Sequence, residues 1–181
     1  TINNMNNLYY CEKIESTNPC GEVPLPPYGA CLLGSFNLTK YVSEGEFNFD
    51  LYISDIGTVV RAMDNVVDRA IYPLEAQKVE AENKRRMGLG ITGLANAAEM
   101  CGKPYASEEF MEFAEDILRT LRDFTYSTSA DLAAEKGAFP LYDEEQYMKS
   151  RFIQTLPDWV KDKIKTNGIR NSHLTSIAPT G

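Results

Sequence analysis

One stretch of the chain carries residue types that could act together in catalysis. Residues 16–37 have the sequence STNPCGEVPLPPYGACLLGSFN, with two thiols, Cys20 and Cys31, and one carboxyl group, Glu22. The four prolines of this stretch remove backbone donors and fix φ, so they exclude a helix. Residues two apart in an extended chain face the same side, so Asn18, Cys20 and Glu22 would form one row. An amide, a thiol and a base could then address one small substrate.

The two cysteines also allow simpler explanations. A cysteine is most often an inert buried residue, and two cysteines eleven residues apart could be half of a zinc site. However, the CxxC spacing is absent and His173 is the only histidine of the chain. The residues alone therefore disfavour a metal site and leave the inert-cysteine explanation open.

The sequence of this stretch strongly resembles the radical-site loop of ribonucleotide reductase catalytic subunits. The similar segments follow in the family's order: NNL at 6–8, NPCGE at 18–22, PLPPYGACLLGSFNL at 24–38, RRMGLGITGLAN at 85–96 and RNSHLTSIAPTG at 170–181. The resemblance covers essentially the whole chain. It implies an α/β fold that is part of a ten-stranded barrel, in which the loop threads the centre and carries the radical cysteine.

The resemblance implies a role for each polar residue of the loop. A thiyl radical at Cys20 would abstract the 3′ hydrogen of a ribose, Glu22 would take the 3′-hydroxyl proton as general base, and Asn18 would hold the ribose hydroxyls. Cys31 would be one member of the dithiol that supplies electrons and protons when the 2′-hydroxyl leaves as water. The other member would come from an earlier barrel strand outside this chain. Thr17 would help to bind the substrate.

The last residues resemble the loop that binds the substrate phosphates. Residues 174–178 (LTSIA) predict a short buried strand that delivers Pro179, Thr180 and Gly181 at its carboxyl end, where α/β proteins place ligand sites. In the resembling family, the backbone amides of this turn cradle the phosphates. The hydroxyl residues that follow this turn in the family are not part of this chain, so we expect further residues to complete the phosphate site. We expect His173, just before the strand, to be structural.

The resemblance also indicates how the radical would arise. The short spacing from Cys20 to Cys31 and the PLPPYGACLLGS wording are similar to the adenosylcobalamin-dependent class. A radical supplied by a separate metal-containing subunit stays an alternative, whereas Glu22 together with Cys31 argues against the glycyl-radical class. The implied activity is that of a ribonucleoside-diphosphate reductase with an external dithiol reductant such as thioredoxin. The residues themselves do not distinguish diphosphates from triphosphates.

Composition and charge restrict the location and the partners. The 181 residues are 43% hydrophobic and 24% charged, which is ordinary for a globular protein with one core. Four cysteines are too few for a disulfide scaffold of this size and fit the reducing cytoplasm. No apolar run is long enough to predict a membrane span. The net charge of -8 argues against nucleic-acid binding.

The ends of the sequence suggest a piece of a larger protein. The chain starts at Thr1 without an initiator methionine and stops at Gly181 inside the presumed phosphate motif. We therefore expect residues 1–181 to be one segment of the catalytic barrel domain of a larger or split enzyme, inactive in isolation. A structural or assembly piece without activity is the alternative, and a thiol redox module of Cys20 and Cys31 ranks last.

Periodicity and capping signals predict the elements that would support the loop. Residues 8–15 are expected to be extended and 75–86 to form a charged solvated or inter-segment face. The GxGxxG match of Gly88, Gly90 and Gly93 lacks a preceding apolar strand, so we expect close packing in a short buried strand or turn rather than a dinucleotide loop. The predicted helices cover residues 54–71, 92–100, 107–136, 144–153 and 157–166.

Overall fold

The computed structural model of the chain describes residues 2–30 and 32–177. Short strands alternate with helices, so the predicted α/β class is confirmed. The strands are β1 (Ser16–Thr17), β2 (Pro24–Leu25), β3 (Leu33–Asn37), β4 (Val42–Ser43), β5 (Glu46–Phe47) and β6 (Gly88–Thr92). The helices are α1 (Phe49–Arg69), α2 (Glu75–Lys84), α3 (Leu94–Met100), α4 (Glu108–Lys136), α5 (Glu144–Met148) and α6 (Asp158–Asn167). Short 3₁₀ helices cover Ile2–Met5, Leu38–Tyr41 and Ile153–Thr155.

Three parallel segments form the sheet that underlies the loop. Strand β3 pairs with β6 in a register that places Leu33 opposite Gly88, and Thr175 bridges Leu89 on the other edge of β6. The predicted strand at 174–178 is therefore reduced to a bridge and its flanking hydrogen bonds, with its last residue outside the described part. Because the three segments are parallel, their carboxyl ends meet at one edge.

Glycines let these segments approach each other. A Cβ on Gly90 would lie 2.1 Å from the carbonyl oxygen of Ser176, and one on Gly88 would lie 2.8 Å from the Cβ of Ser176. Real Cβ atoms do not tolerate such distances, so both positions require glycine. Close packing, and not a dinucleotide loop, explains the GxGxxG match. The predicted order of a short buried strand followed by a helix is confirmed by β6 and α3.

Helix α1 starts earlier than the sequence predicted. Asn48 accepts a hydrogen bond from the Leu51 amide at 2.9 Å and caps the helix, which begins at Phe49 and not at residue 54 as predicted. The earlier start adds Tyr52, which is fully buried, to the apolar face. The helix ends at Arg69, two residues before the predicted end. The apolar period identified the element, but a competing cap decided its first residue.

Helix α4 matches the prediction closely. Ser107 accepts a hydrogen bond from the Phe110 amide at 3.1 Å, and Gly137 ends the helix with φ 85°. Its second half buries Ser127 and Ser129, and these small side chains permit close contact with neighbouring elements. Helix α6 is displaced by one residue from its prediction. Helix α5 stops at Met148, five residues early, because the chain turns at 149–152 into a 3₁₀ segment.

Two expectations for irregular regions are wrong or incomplete. Residues 7–11 form turns and not an extended run, because the amides of Cys11 and Glu12 both donate to the carbonyl of Leu8 at 3.0 Å. In the charged run, Lys84, Arg85 and Arg86 are buried and not solvated. They bind acids of other segments, so the inter-segment alternative holds for them.

Across residues 2–30 and 32–177, no helix combines the length and the apolar character that crossing a bilayer requires.

Candidate active site

The predicted catalytic loop is a short β-hairpin. Strands β1 and β2 pair antiparallel, with Ser16 opposite Leu25. The turn closes with hydrogen bonds from the Gly21 amide to the Asn18 carbonyl at 3.0 Å and from the Asn18 amide to the Val23 carbonyl at 3.2 Å. Gly21 has φ 83°, a conformation that favours glycine. The hairpin presents residues 19–22 at its tip.

The hairpin changes how Asn18 and Glu22 meet. We expected one extended row, and this is wrong because residues 19–23 form turns and bends. The two side chains nevertheless come together across the turn, since Asn18 Nδ2 donates a hydrogen bond to Glu22 Oε1. Asn18 Oδ1 also accepts from the Val23 amide at 3.0 Å. Buried Asn18 thus closes the turn and orients the carboxylate of Glu22.

The other oxygen of Glu22 is in an unusual state. Glu22 Oε2 is buried and has no hydrogen-bond partner within the described part of the chain. Buried polar atoms are nearly always hydrogen-bonded, so a buried carboxylate oxygen without a partner is unusual. A carboxylate that is oriented through one oxygen and open at the other can accept a proton from a bound group.

Cys20 occupies the turn between Asn18 and Glu22 and has a free, exposed thiol. Thr17, the expected substrate contact, is exposed on β1. Cys31, Pro179, Thr180 and Gly181 lie outside the described residues, so their predicted roles stay predictions. Asn18 and Glu22 are the predicted site residues that the structure brings into contact, and Cys20 lies in the turn that connects them.

Buried charges hold the segment that leads into the hairpin. The carboxylate of Glu12 is ion-paired with Arg86 and with Lys84, the latter at 2.8 Å, and Lys84 also contacts Glu80 at 2.6 Å. The side chains of Glu12, Lys84 and Arg86 are each at most 8% exposed. Paired charges in such a setting restrain position, because separating them leaves a buried charge uncompensated.

His173 is structural, as expected from the sequence. Its Nε2 lies 2.9 Å from Asn6 Oδ1, and its Nδ1 lies 3.1 Å from Ser172 Oγ. Burial, followed by the positive charges of Arg86 and Lys84, lowers the pKa of His173 well below its ordinary value. The imidazole is therefore neutral at pH 7 and fully hydrogen-bonded.

A cavity of about 130 Å³ lies beside the hairpin. Its walls include Glu22, Arg86, His173 and Ser176. The cavity therefore joins the hairpin to the segment that precedes the presumed phosphate loop. In the part of the chain that the structure describes, no three histidine, cysteine or acidic residues are grouped as metal ligands.

Sequence reasoning missed the long-range hydrogen bonds of Ser176 and Asn7. Ser176 Oγ donates to the carbonyl of Glu22 at 2.7 Å, across 154 positions of the chain. Asn7 donates to the Ser172 carbonyl at 3.0 Å and accepts from Ser150 at 2.9 Å, which fixes the N-terminal segment. No periodicity or spacing predicts such long-range pairs. Asn7 carried a signal only through the NNL resemblance.

A family model described as the ribonucleotide reductase barrel domain matches residues 1–181. The chain belongs to this family. The vitamin B12-dependent ribonucleoside-diphosphate reductase of Mycobacterium tuberculosis (strain H37Rv) is 38% identical over 181 residues, which are 100% of this chain and 23% of that protein. The protein of the same name from Thermoplasma acidophilum is also 38% identical and covers 99% of this chain and 22% of its own length.

A more distant relative carries a different name. The ribonucleoside-diphosphate reductase large subunit of African swine fever virus (isolate Tick/Malawi/Lil 20-1/1983) is 26% identical over 212 residues, covering 99% of this chain and 27% of the viral protein. This chain thus spans roughly a quarter of the length of these relatives. The resemblance to ribonucleotide reductases that the loop sequence indicated is confirmed.

Proposed function

We propose that this chain is the radical-bearing segment of the catalytic barrel of an adenosylcobalamin-dependent ribonucleotide reductase. The observation that carries the proposal is the hairpin tip, where Cys20 lies in the turn that the contact between Asn18 and the carboxylate of Glu22 closes. Membership of the barrel-domain family over the whole chain supports the same conclusion. The proposed activity belongs to the complete enzyme, and residues 1–181 form one segment of its barrel domain.

In the proposed reaction, a thiyl radical at Cys20 takes the 3′ hydrogen of the ribose. Glu22 accepts the 3′-hydroxyl proton, and Asn18 hydrogen-bonds the ribose hydroxyls. The 2′-hydroxyl leaves as water while a dithiol becomes a disulfide, which supplies two electrons and two protons. Cys20 then returns hydrogen to the 3′ carbon and regains its radical, and Glu22 returns the proton to the 3′ oxygen. Ribonucleotide and dithiol are thereby converted into deoxyribonucleotide, water and disulfide.

The geometry of Glu22 suits the role of base. Asn18 holds Oε1, so the carboxylate has a fixed orientation before a substrate binds. The Oε2 atom has no partner among residues 2–30 and 32–177 and is available to accept the 3′-hydroxyl proton. A base that is already oriented avoids part of the entropic cost of positioning in the transition state.

Cys31 and the phosphate turn complete the proposal without structural support of their own. Cys31 would be one thiol of the reducing pair, and the second would come from another part of the complete protein. An external dithiol such as thioredoxin would reduce the resulting disulfide, which requires a reducing compartment such as the cytoplasm. Thr17, Pro179, Thr180 and Gly181 would bind the substrate, the last three through its phosphates.

The exposed thiol of Cys20 fits a radical that comes from a separate cofactor. When bound, adenosylcobalamin supplies a carbon-centred radical that can abstract hydrogen from a thiol. Cys20 carries a free thiol at the hairpin tip, and a thiol is the group from which such a radical would take hydrogen. The two B12-dependent relatives at 38% identity favour this class over one with a separate metal-containing subunit.

Adenosylcobalamin dependence tests the proposal. The complete reductase that contains these residues is assayed for reduction of a ribonucleoside diphosphate by a dithiol, with and without adenosylcobalamin. We expect deoxyribonucleotide only in its presence. Turnover that needs a metal-containing second subunit instead would contradict the cobalamin class. If neither condition gave product, the chain would be a structural piece of its assembly.

A further inference from the structure

We infer that Ser176 is a positioning residue that fixes the hairpin tip by holding the main chain of Glu22. The inference deepens the proposed function, since it rests on Glu22 acting as the base. Ser176 lies outside the hairpin and is not among the residues to which the family resemblance assigned a role. Its hydroxyl links the catalytic hairpin to the segment that leads to the presumed phosphate turn.

The contact itself is short and spans the chain. Ser176 Oγ donates to the Glu22 carbonyl oxygen at 2.7 Å. Asn18 holds the side chain of the same residue through Oε1. Glu22 is thus restrained twice, at its carboxylate by a neighbour within the hairpin and at its backbone by a residue 154 positions away.

The position of Ser176 is itself fixed by the parallel sheet. Its amide donates to the Leu89 carbonyl at 3.1 Å, and the Leu89 amide donates to the Leu174 carbonyl at 2.8 Å. On the facing strand, Gly88 and Gly90 leave no room for a Cβ against Ser176. The serine therefore lies on a closely packed support that cannot shift without disturbing β6.

The hairpin needs such a support. Strands β1 and β2 pair over only two residues each, and a two-stranded hairpin alone is at best marginally stable in water. A catalytic group must be held within about 0.5 Å of its productive position. The bond from Ser176 connects the hairpin tip to the packed parallel segments and thereby fixes the main chain of the base.

Hydrogen exchange tests the tether without relying on activity. Ser176→Ala in the complete reductase removes the hydroxyl and keeps Cβ, so the sheet contact survives. We expect the amides of Asn18, Gly21 and Val23, which donate hydrogen bonds inside the hairpin, to exchange about fivefold to tenfold faster, because one hydrogen bond that closes the region is lost. Ser150→Ala is the matched control, since its buried hydroxyl donates to Asn7 and not to the hairpin. Unchanged exchange at 18–23 in Ser176→Ala would overturn the inference.

Kinetics test whether the tether serves the base. We expect Ser176→Ala to lower kcat about tenfold to a hundredfold, with a smaller change in KM, because the base is misplaced. The double variant with Glu22→Gln should be no slower than Glu22→Gln alone, since the serine acts through that carboxylate. Full additivity of the two losses would overturn the positioning role.

The two proposals fail in different ways. If Glu22→Gln were inactive while Ser176→Ala kept wild-type kcat and wild-type exchange, the positioning role would fail and the proposed function would stand. If Glu22→Gln itself turned over at the wild-type rate, the proposed function would fail, and the positioning of a base would fail with it.

Discussion

At the scale of single residues, Asn18 couples the folding of the hairpin to its chemistry. Its Oδ1 accepts the Val23 amide at 3.0 Å and closes the turn, while its Nδ2 donates to Glu22. Most asparagines in turns perform only the first task. Because one amide performs both, the carboxylate becomes oriented in the same step that forms the hairpin.

Glu22→Gln should abolish base function and leave the fold intact. Gln keeps an oxygen that can accept from Asn18 but cannot take a proton, so we expect kcat to fall about 10²- to 10⁴-fold. The thermal midpoint should stay within a few degrees, because no ion pair is lost. Glu15→Gln is the control, since Glu15 is an exposed acid just before β1. A Glu22→Gln variant that lost stability and activity in parallel would identify a structural acid instead.

At the scale of elements, the sequence predicted helix ends that are set by interactions within one helical turn. Ser107 and Gly137 bound α4 as expected, because a cap and a left-handed stop act within one turn of the helix. The extended run at 8–15 failed because Leu8 is fully buried and its carbonyl accepts two amides. A tertiary contact of this kind leaves no periodic signal.

The candidate site was predictable in the same uneven way. The hairpin residues Asn18, Cys20 and Glu22 could be found because they are close in sequence, although their predicted arrangement in a row was wrong. Ser176 could not be found, since its partner is 154 residues away. The burial of Lys84 could not be predicted either, because a run of charged residues usually faces solvent. The acid that pairs with Lys84 is Glu12, which is far away in the sequence.

The contact between β6 and the segment at 173–176 gives a prediction for an element. Gly90→Ala places a Cβ 2.1 Å from the Ser176 carbonyl oxygen and should destabilise the protein by about 1–3 kcal/mol or more. Gly57→Ala in α1 is the control, because its nearest neighbour is Thr128 Oγ1 at 4.0 Å. That change should be neutral or stabilise by up to about 1 kcal/mol. Thermal unfolding of both variants measures the difference, and equal midpoints would contradict the close approach.

At the scale of the whole molecule, one buried acid joins four segments. Asp64 of α1 is fully buried and contacts Arg85 after α2 at 2.7 Å, Lys136 at the end of α4 at 3.1 Å and Arg170 at 3.4 Å. Asn171 Nδ2 also donates to it at 3.0 Å. Burial raises the pKa of Asp64, but hydrogen bonds from Arg85, Lys136 and Asn171 and the positive charge of Arg85 outweigh burial and lower the pKa below its ordinary value.

Asp64→Asn should therefore be strongly destabilising. Removing one partner of a buried ion pair costs about 3–5 kcal/mol, because the remaining charges stay buried. Asp68→Asn is the control, since Asp68 contacts Arg85 at 2.7 Å but its side chain is 41% exposed, and its loss should cost less than about 1 kcal/mol. Comparable losses in thermal stability for the two variants would contradict the role of Asp64 as the centre of the network.

The pH dependence of stability follows the same acid. Since the folded pKa of Asp64 is lowered, its contribution is complete above the unfolded pKa of about 3.9 and is lost as pH falls through the folded value. The stability difference between wild type and Asp64→Asn should thus be constant near neutral pH and shrink in acid. Denaturant titrations between neutral pH and the acid limit measure it, and a difference that grew on acidification would have the wrong sign.

His173 gives a second, separate pH window. Because the folded pKa of His173 is lowered, its imidazole is protonated in the unfolded chain at a pH where it is still neutral in the folded chain. The free energy of unfolding therefore falls as pH drops below about 6.5. It is the only histidine of the chain. His173→Gln should therefore remove part of the slope between about pH 7 and 5 when compared with wild type. An unchanged slope would mean that folding does not lower the pKa of His173.

The central claim is that the sulfur of Cys20 carries the radical, and replacing that sulfur tests it most directly. The measurement is the rate of deoxyribonucleotide formation by the complete reductase with adenosylcobalamin, for Cys20→Ser and for the matched variant Cys11→Ser, which removes another exposed thiol. We predict no turnover above background for Cys20→Ser and near wild-type turnover for Cys11→Ser. Sustained turnover by Cys20→Ser would contradict the account.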